Sequence, residues 1–257
     1  MSTDEHDAVV RGSFERQVGL FTGDDSFFAR RPASAVAWLE PLDPQMIVLD
    51  VACGAAHVAE QVAPYVRQAV GLDLTPELLA LGAERLRRAD ITNVLLQEGN
   101  AARLPFLDAS FDLVFCRSAL HHFAHPADPV AEMARVCRPA GRVVVSDMVA
   151  TSQRVRERFD DLHRHIDPSH AGVLLESEVA ELLRSTVGPL GDDRPPTSVT
   201  LPVEKMFTEL SHRDAVLSAL HDELAGGPAT GFRPTVHDDQ VLVSFTSVLV
   251  HAERAID

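Results

Sequence analysis

Between Met46 and Met148, short apolar runs alternate with stretches whose apolar residues recur at steps of three and four. The runs over 46–51, 68–72, 94–97, 111–116 and 142–146 predict strands, and the stretches over 55–63, 76–89 and 129–136 predict helices. Thr75 before Pro76 predicts a helix N-cap with proline in the first turn, and Pro139-Ala140-Gly141 predicts a turn before the last of these strands. Such alternation argues for a parallel sheet covered by helices on both faces.

The flanks read differently. Residues 1–10 are polar and expected to fray. From Val10 to Arg31, Phe14, Phe21, Phe27 and Phe28 punctuate a polar segment broken at Gly19 and Gly23. It reads either as two short helices packed on the core or as a flap whose phenylalanines roof a pocket. Residues 33–42 predict a helix. Beyond Ala150, Val155, Phe159, Leu162 and Ile166 share one helix face that Pro168 ends. A second helix spans 178–186 and is closed by Gly188. Residues 197–201 predict a strand, and 204–224 two helical pieces around Ser211-His212-Arg213. Gly226-Gly227-Pro228 breaks the chain, and the β-branched run over 240–251 predicts a strand near the sheet edge. Together these elements predict one domain over 1–257: a core over about 41–150, a cap from 1–40 and 151–239, and a C-terminal strand.

Composition narrows the function. The chain has 257 residues, 46% hydrophobic and 24% charged, as in a globular protein. It lacks an uncharged apolar run of the length a membrane helix needs, and its start lacks an apolar signal core, so a cytoplasmic location is expected. Cys53, Cys116 and Cys137 stand singly, without a CxxC pair, which fits reduced thiols rather than a zinc or redox site. A net charge of −15 disfavours nucleic acid and favours a small, neutral or cationic substrate. The arginine groups at 85–88 and 154–164 are interleaved with acids and read as solvated helix faces.

The chemistry gathers at the predicted strand ends. IVLDVACGAAHVAE is a strand, a small-residue loop and a helix start, the form in which an α/β sheet presents a nucleotide-sized ligand to a helix N-terminus. Counted from position 52, a G-x-G-x-x-G fingerprint would meet Ala, Gly and His, so an NAD-linked oxidoreductase is a weak reading. The loop resembles instead the first motif of class I S-adenosylmethionine (SAM)-dependent methyltransferases, with Asp50, Ala52, Gly54 and Ala56 on D-x-G-x-G-x-G and alanine for two of the glycines. Asp73 in VGLDLT, next to Leu74, matches the acid that accepts the ribose hydroxyls. EGNAARLPF resembles G-D-A-x-x-L-P-F and puts Asn100-Ala101 at the adenine, Asn keeping a carbonyl acceptor for its amine. FDLVFCRSALHHF matches the fourth-strand motif, where Cys116 and Arg117 would flank the methionine moiety, and LHHFAHPADPVAEMARVCRPAGRVVVSD matches the stretch after it. CRSA in place of N/D-P-P-Y/F disfavours nucleobase and glutamine N-methylation. The wording is closest to the ubiquinone/menaquinone-type small-molecule branch (methyltransferase type 11-like), although the Y-D-x-M-N signature of the quinone enzymes is missing.

The resemblance implies a Rossmann-like α/β fold, a mainly parallel seven-stranded sheet with an antiparallel C-terminal strand and a helical cap. It also implies SAM as cofactor, S-adenosylhomocysteine as product, and O- or C-methylation of a small phenol-, quinol- or natural-product-like acceptor. Methyl transfer from a sulfonium is an in-line displacement, so the protein aligns, excludes water and, for a hydroxyl, supplies a base. His121 and His122, just past the fourth strand, are base candidates, one of them expected to line the pocket. Asp147, at the tip of the fifth strand, is a candidate to orient substrate or base, and His57 to shape the cofactor loop. His163-Arg164-His165-Ile166-Asp167-Pro168-Ser169-His170 approaches a metal signature, but His163 and His165 fall on different sides of one helix, so no metal is expected. The D-P-S-H piece resembles an element of the same branch, which makes His170 another base candidate. Cys53 and Cys116 read as packing thiols rather than nucleophiles. A SAM-binding protein of this fold that does not transfer methyl is the alternative, motivated by Ala56 and the lack of one unambiguous base.

Overall fold

β1 (Ile47–Val51), β2 (Gln68–Asp73), β3 (Val94–Glu98), β4 (Phe111–Arg117) and β5 (Cys137–Val149) run parallel in a computed structural model that describes residues 3–21, 33–192 and 194–256. β6 (Thr197–Pro202), β7 (Thr235–His237) and β8 (Gln240–Glu253) complete the sheet. The order is β3-β2-β1-β4-β5-β8-β6, with β7 also on β8; β8 is antiparallel to β5, and β6 and β7 to β8. The sheet therefore has eight strands, not seven. β8 is not an edge strand, because β5 pairs with one side of it and β6 and β7 with the other. The chain leaves β1 toward β2 on one side and reaches β4 on the other, and the crevice beyond their C-terminal ends is where open α/β sheets bind ligands.

Both faces of the central parallel strands β1, β2 and β4 are buried, which explains their continuous apolar runs, whereas the edge strand β3 is largely exposed. Leu49, Val51, Leu72, Val114 and Val145 pack with Val130 and Met133 of α4 (Ala127–Val136) and Val179 and Leu183 of α6 (Glu176–Thr186). Val48, Ala69, Leu113, Phe115 and Val144 pack on the other face with Val58, Ala59 and Val62 of α2 (His57–Val62) and with the 3-10 turn Ala33–Leu39. α3 (Pro76–Arg88) follows β2. A further cluster joins α5 (Gln153–Ile166), α7 (Arg213–Leu224) and the far sheet through Phe159, Leu220, Phe232 and Val243.

Several local expectations change. The polar N-terminus is not frayed but helical, α1 (Thr3–Gln17), because its inward face is itself polar: His6, Ser13 and Gln17 are buried. Residues 33–42 form only the short 3-10 turn, and the predicted helical piece at 204 is a 3-10 turn, Val203–Lys205. Thr75 holds the N-cap position of α3, but its hydroxyl makes no capping bond. Pro139-Ala140-Gly141 lies inside β5 as an irregularity, with Ala140 at φ 59 and a register shift against β4. A Cβ at Gly141 would sit 2.7 Å from Cys137 Sγ and 2.9 Å from two carbonyl oxygens, so only glycine fits. Gly23, Phe27 and Phe28 of the proposed flap lie outside the described residues.

One clamp ties the sheet to the site. Glu132 on α4 accepts the Leu104 N–H at 2.7 Å, and Arg135 donates to Leu104 O at 2.9 Å and Phe106 O at 2.8 Å while pairing with Glu132 at 2.7 Å. This holds the segment that follows Asn100-Ala101. Arg135→Ala is expected to lower stability by about 2 kcal/mol in urea unfolding, since two carbonyls lose a charged donor. Arg135→Lys should recover part of that loss.

Candidate functional site

β1, β2 and β4 end at a cavity of about 490 Å³, closed on its outer side by α1 and by residues of α5 and the far sheet. The small-residue loop after β1 forms its floor. Ala52, Gly54 and Ala56 have φ of 56°, 54° and 58°, so all three motif positions are left-handed although two are alanine. An alanine in that region costs about 1–2 kcal/mol, a strain the loop carries to keep its course. Cys53 N–H donates to Leu72 O at 3.0 Å, and the Cys53 side chain lies over Gly71, where a Cβ would come within 2.8 Å of its sulfur. Burial pushes the Cys53 thiol well up, so it packs as a thiol rather than a nucleophile.

Two carboxylates stand at the strand tips. Asp50 is 2% exposed, accepts the Ala59 N–H of α2 at 3.1 Å, and is pushed up to about 7 by burial, with Arg117 opposing. Asp73 accepts Gly54 N–H at 2.7 Å with one oxygen and Thr75 N–H at 2.9 Å with the other. It thereby ties the β1 loop to the start of α3 while both oxygens keep a lone pair for a ligand. Leu74, Ala101 and Arg117 line the same cavity. Asn100 lines it too, but its carbonyl does not point to a ligand: Oδ1 accepts Ala102 N–H at 2.8 Å and Nδ2 donates to Asp7 at 2.6 Å. Cys116 does not line the cavity; one residue before the β4 tip, it turns into the core cluster. His57 lines the cavity from the start of α2 with its ring against the Arg85 guanidinium, and burial together with that charge lowers it to about 4.

The histidines gather at the opposite end. His121 is buried, and its Nδ1 lies 2.6 Å from Asp147 Oδ1. Asp147 also accepts Leu120 N–H at 2.5 Å and Met148 N–H at 2.6 Å, which locks the carboxylate. Burial opposes a charge on His121, but Asp147 together with the Asp167 and Asp160 carboxylates outweighs it and the net shift is upward; the same pairing holds Asp147 below its ordinary value against its own burial. Both His121 and His122 line the cavity, not one. The His122 ring is otherwise engaged: Nδ1 meets Ser169 Oγ at 3.0 Å, Phe14 packs edge-on at 5.0 Å, and burial lowers it to about 4.

His170 does not line the cavity. It is buried behind His163, stacked at 4.2 Å, with Nε2 2.7 Å from Asp160 Oδ1, and burial lowers it to about 2. His163, which the sequence offered only as half of a rejected metal signature, faces the cavity 6.0 Å from the His121 ring. His165 points outward, edge-on to His212. Asp7 was also missed, and Asp167 entered the sequence reading only as the first residue of the D-P-S-H piece. Asp167 lines the cavity and accepts from Ser13 of α1 at 3.0 Å and from Ser169 Oγ at 2.6 Å. The signal for Asp7 lay in the buried polar face of α1, which hydropathy does not register. Between the two polar ends, Phe14, Ile166, Val199, Met206 and Phe245 give the cavity an apolar wall.

Residues 49–145 match the family model described as a methyltransferase domain. The chain is 38% identical over 135 residues to the uncharacterized methyltransferase YcgJ of Bacillus subtilis, covering 52% of each chain. It is 32% identical over 175 residues to the demethylmenaquinone methyltransferase of Halalkalibacterium halodurans, covering 65% of this chain and 67% of that one. The chain spans about half the length of the curated relatives it matches first. The crystal structure of YcgJ superposes with a TM-score of 0.76 at 25% identity, covering 88% of this chain and 99% of that one.

Proposed function

The chain belongs to the SAM-dependent methyltransferase family, and from that premise we propose that it methylates a small phenol- or quinol-like acceptor at oxygen or at a hydroxyl-activated carbon. The observation that carries this reading is the His121–Asp147 pair, 2.6 Å apart, facing the same cavity as the Asp50–Ala56 loop. Bound SAM supplies an activated methyl on a sulfonium sulfur. The residues present fit it: Asp73 keeps lone pairs for ribose hydroxyls, and the loop backbone holds left-handed positions at both alanines. Ionised Asp50 would attract the cationic methionine end, and the Arg117 guanidinium on the cavity wall would attract its carboxylate.

At the other end, His121 is suited to take the acceptor's hydroxyl proton on Nε2, with Asp147 fixing Nδ1 as the protonated nitrogen. His163 offers the acceptor a second polar contact, and the apolar wall takes its ring. α1 excludes water across both ends, its Asp7 bonded to Asn100 and its Ser13 to Asp167. In this reading the chain works as one catalytic unit, with α1 and residues 151–239 as the cap. The net charge of −15 supports a small molecule rather than nucleic acid as acceptor.

Incubation with methyl-labelled SAM and a panel of catechol, hydroquinone and naphthoquinol should move label into the organic phase. Tight binding of S-adenosylhomocysteine without label transfer to any of them would favour the non-methylating alternative.

A further inference from the structure

We propose that Asp7, on the N-terminal helix, is the residue that accepts the exocyclic amine of the cofactor's adenine; this rests on the SAM reading above. The orientation of Asn100 carries it. A backbone N–H can only donate, so the 2.8 Å bond from Ala102 N–H fixes the Asn100 side chain with its oxygen toward Ala102. The amide nitrogen is left on the other side, donating to Asp7 Oδ2 at 2.6 Å. Asn100 therefore has its carbonyl turned toward Ala102, with one lone pair spent there, and its donor side turned toward Asp7, whereas the adenine amine, itself a donor, requires an acceptor.

Asp7 restores the acceptor. Its carboxylate lines the cavity beside Gly99, Asn100 and Ala101, and its Oδ1 has no partner among the described residues. Asn100 thus becomes a positioning residue, holding one oxygen of Asp7 so that the other is presented to the ligand. The helix carrying Asp7 is pinned nearby, with Arg11 3.5 Å from Glu98 at the end of β3. At the far end of α1, Ser13 donates to Asp167 at the acceptor pocket. One helix then reaches both the adenine end and the acceptor end of the cavity.

Calorimetry on the full chain tests this without any acceptor. The wild type should bind S-adenosylhomocysteine about tenfold or more tightly than S-inosylhomocysteine, in which a carbonyl replaces the amine. Asp7→Ala should lose that discrimination through weaker S-adenosylhomocysteine binding, and Asp7→Ala with Asn100→Asp should regain part of it. Equal wild-type affinity for the two ligands would overturn the inference even if the variants fail to fold. So would an Asp7→Ala protein that keeps the wild-type ratio. Failure of the wild type to bind S-adenosylhomocysteine at all would instead overturn the family-based reading on which it rests.

Discussion

Replacing His121 by alanine is expected to lower the turnover number about 10²–10⁴-fold while leaving the affinity for S-adenosylhomocysteine within about twofold. The separation follows from geometry: Asp50, Gly54 and Asp73, the residues proposed to hold the cofactor, sit at the ends of β1 and β2, whereas His121 lies past β4 on the Asp147 carboxylate. Its pH dependence has a defined sign. His121 is raised above 6.5 because Asp147, with Asp167 and Asp160, outweighs the burial that opposes its charge, so the rate should climb with pH as the ring deprotonates, with an inflection above that value. Asp147→Asn removes the carboxylate and leaves burial in control. The acid limb should then move to lower pH while the maximal rate falls.

Stability gives a second reading of the same pair. A raised histidine stabilises the fold below pH 6.5 and loses that contribution as pH rises through its folded value; the lowered Asp147 stabilises above its ordinary value and loses that contribution in acid. Asp147→Asn should therefore destabilise most between these limits and least in alkali. A His121→Ala enzyme with a wild-type rate and pH profile would remove His121 from the chemistry.

Asp73→Ala is expected to raise the dissociation constant for S-adenosylhomocysteine about 10²–10³-fold. Two losses combine. The ribose hydroxyls lose a charged acceptor, and Gly54 and Thr75 lose the oxygens that accept their N–H groups at 2.7 and 2.9 Å, so the β1 loop is no longer tied to α3. Burial raises Asp73, so the carboxylate is itself costly to hold ionised, and the fold should lose less than the bonds alone suggest. Thermal melts with and without ligand separate the effects: the ligand-induced rise in Tm should vanish while the ligand-free Tm falls only modestly. Unchanged affinity would exclude Asp73 from the cofactor site.

The parallel core was legible because strands buried on both faces write continuous apolar runs, and their tips carry Asp50, Asp73 and Arg117 at recognisable places. What escaped was structure whose buried side is polar. The first part of α1, residues 3–10, reads as a frayed tail because its buried side carries His6 rather than an apolar residue, and with it went Asp7. Asn100 showed a carbonyl in the sequence, but only the bond from Ala102 reveals which way it is turned. His170 and Cys116 sit beside the right motifs, yet each is one layer too deep: His170 behind His163, Cys116 one residue before the strand tip and turned into the core. Alternation along a strand and stacking between helix and loop are set by tertiary register, which spacing does not encode. β8 looked like an edge because its run is long and β-branched; β6, short and half-exposed, and β7, short and exposed, then pair with it.

The most direct test of the central claim is calorimetry of the wild-type chain against SAM, S-adenosylhomocysteine and NAD, run beside label transfer from methyl-labelled SAM to the phenol and quinol panel. The account predicts saturable micromolar or tighter binding of the first two, none of NAD, and label in at least one acceptor that His121→Ala abolishes. Binding of NAD without SAM would contradict it.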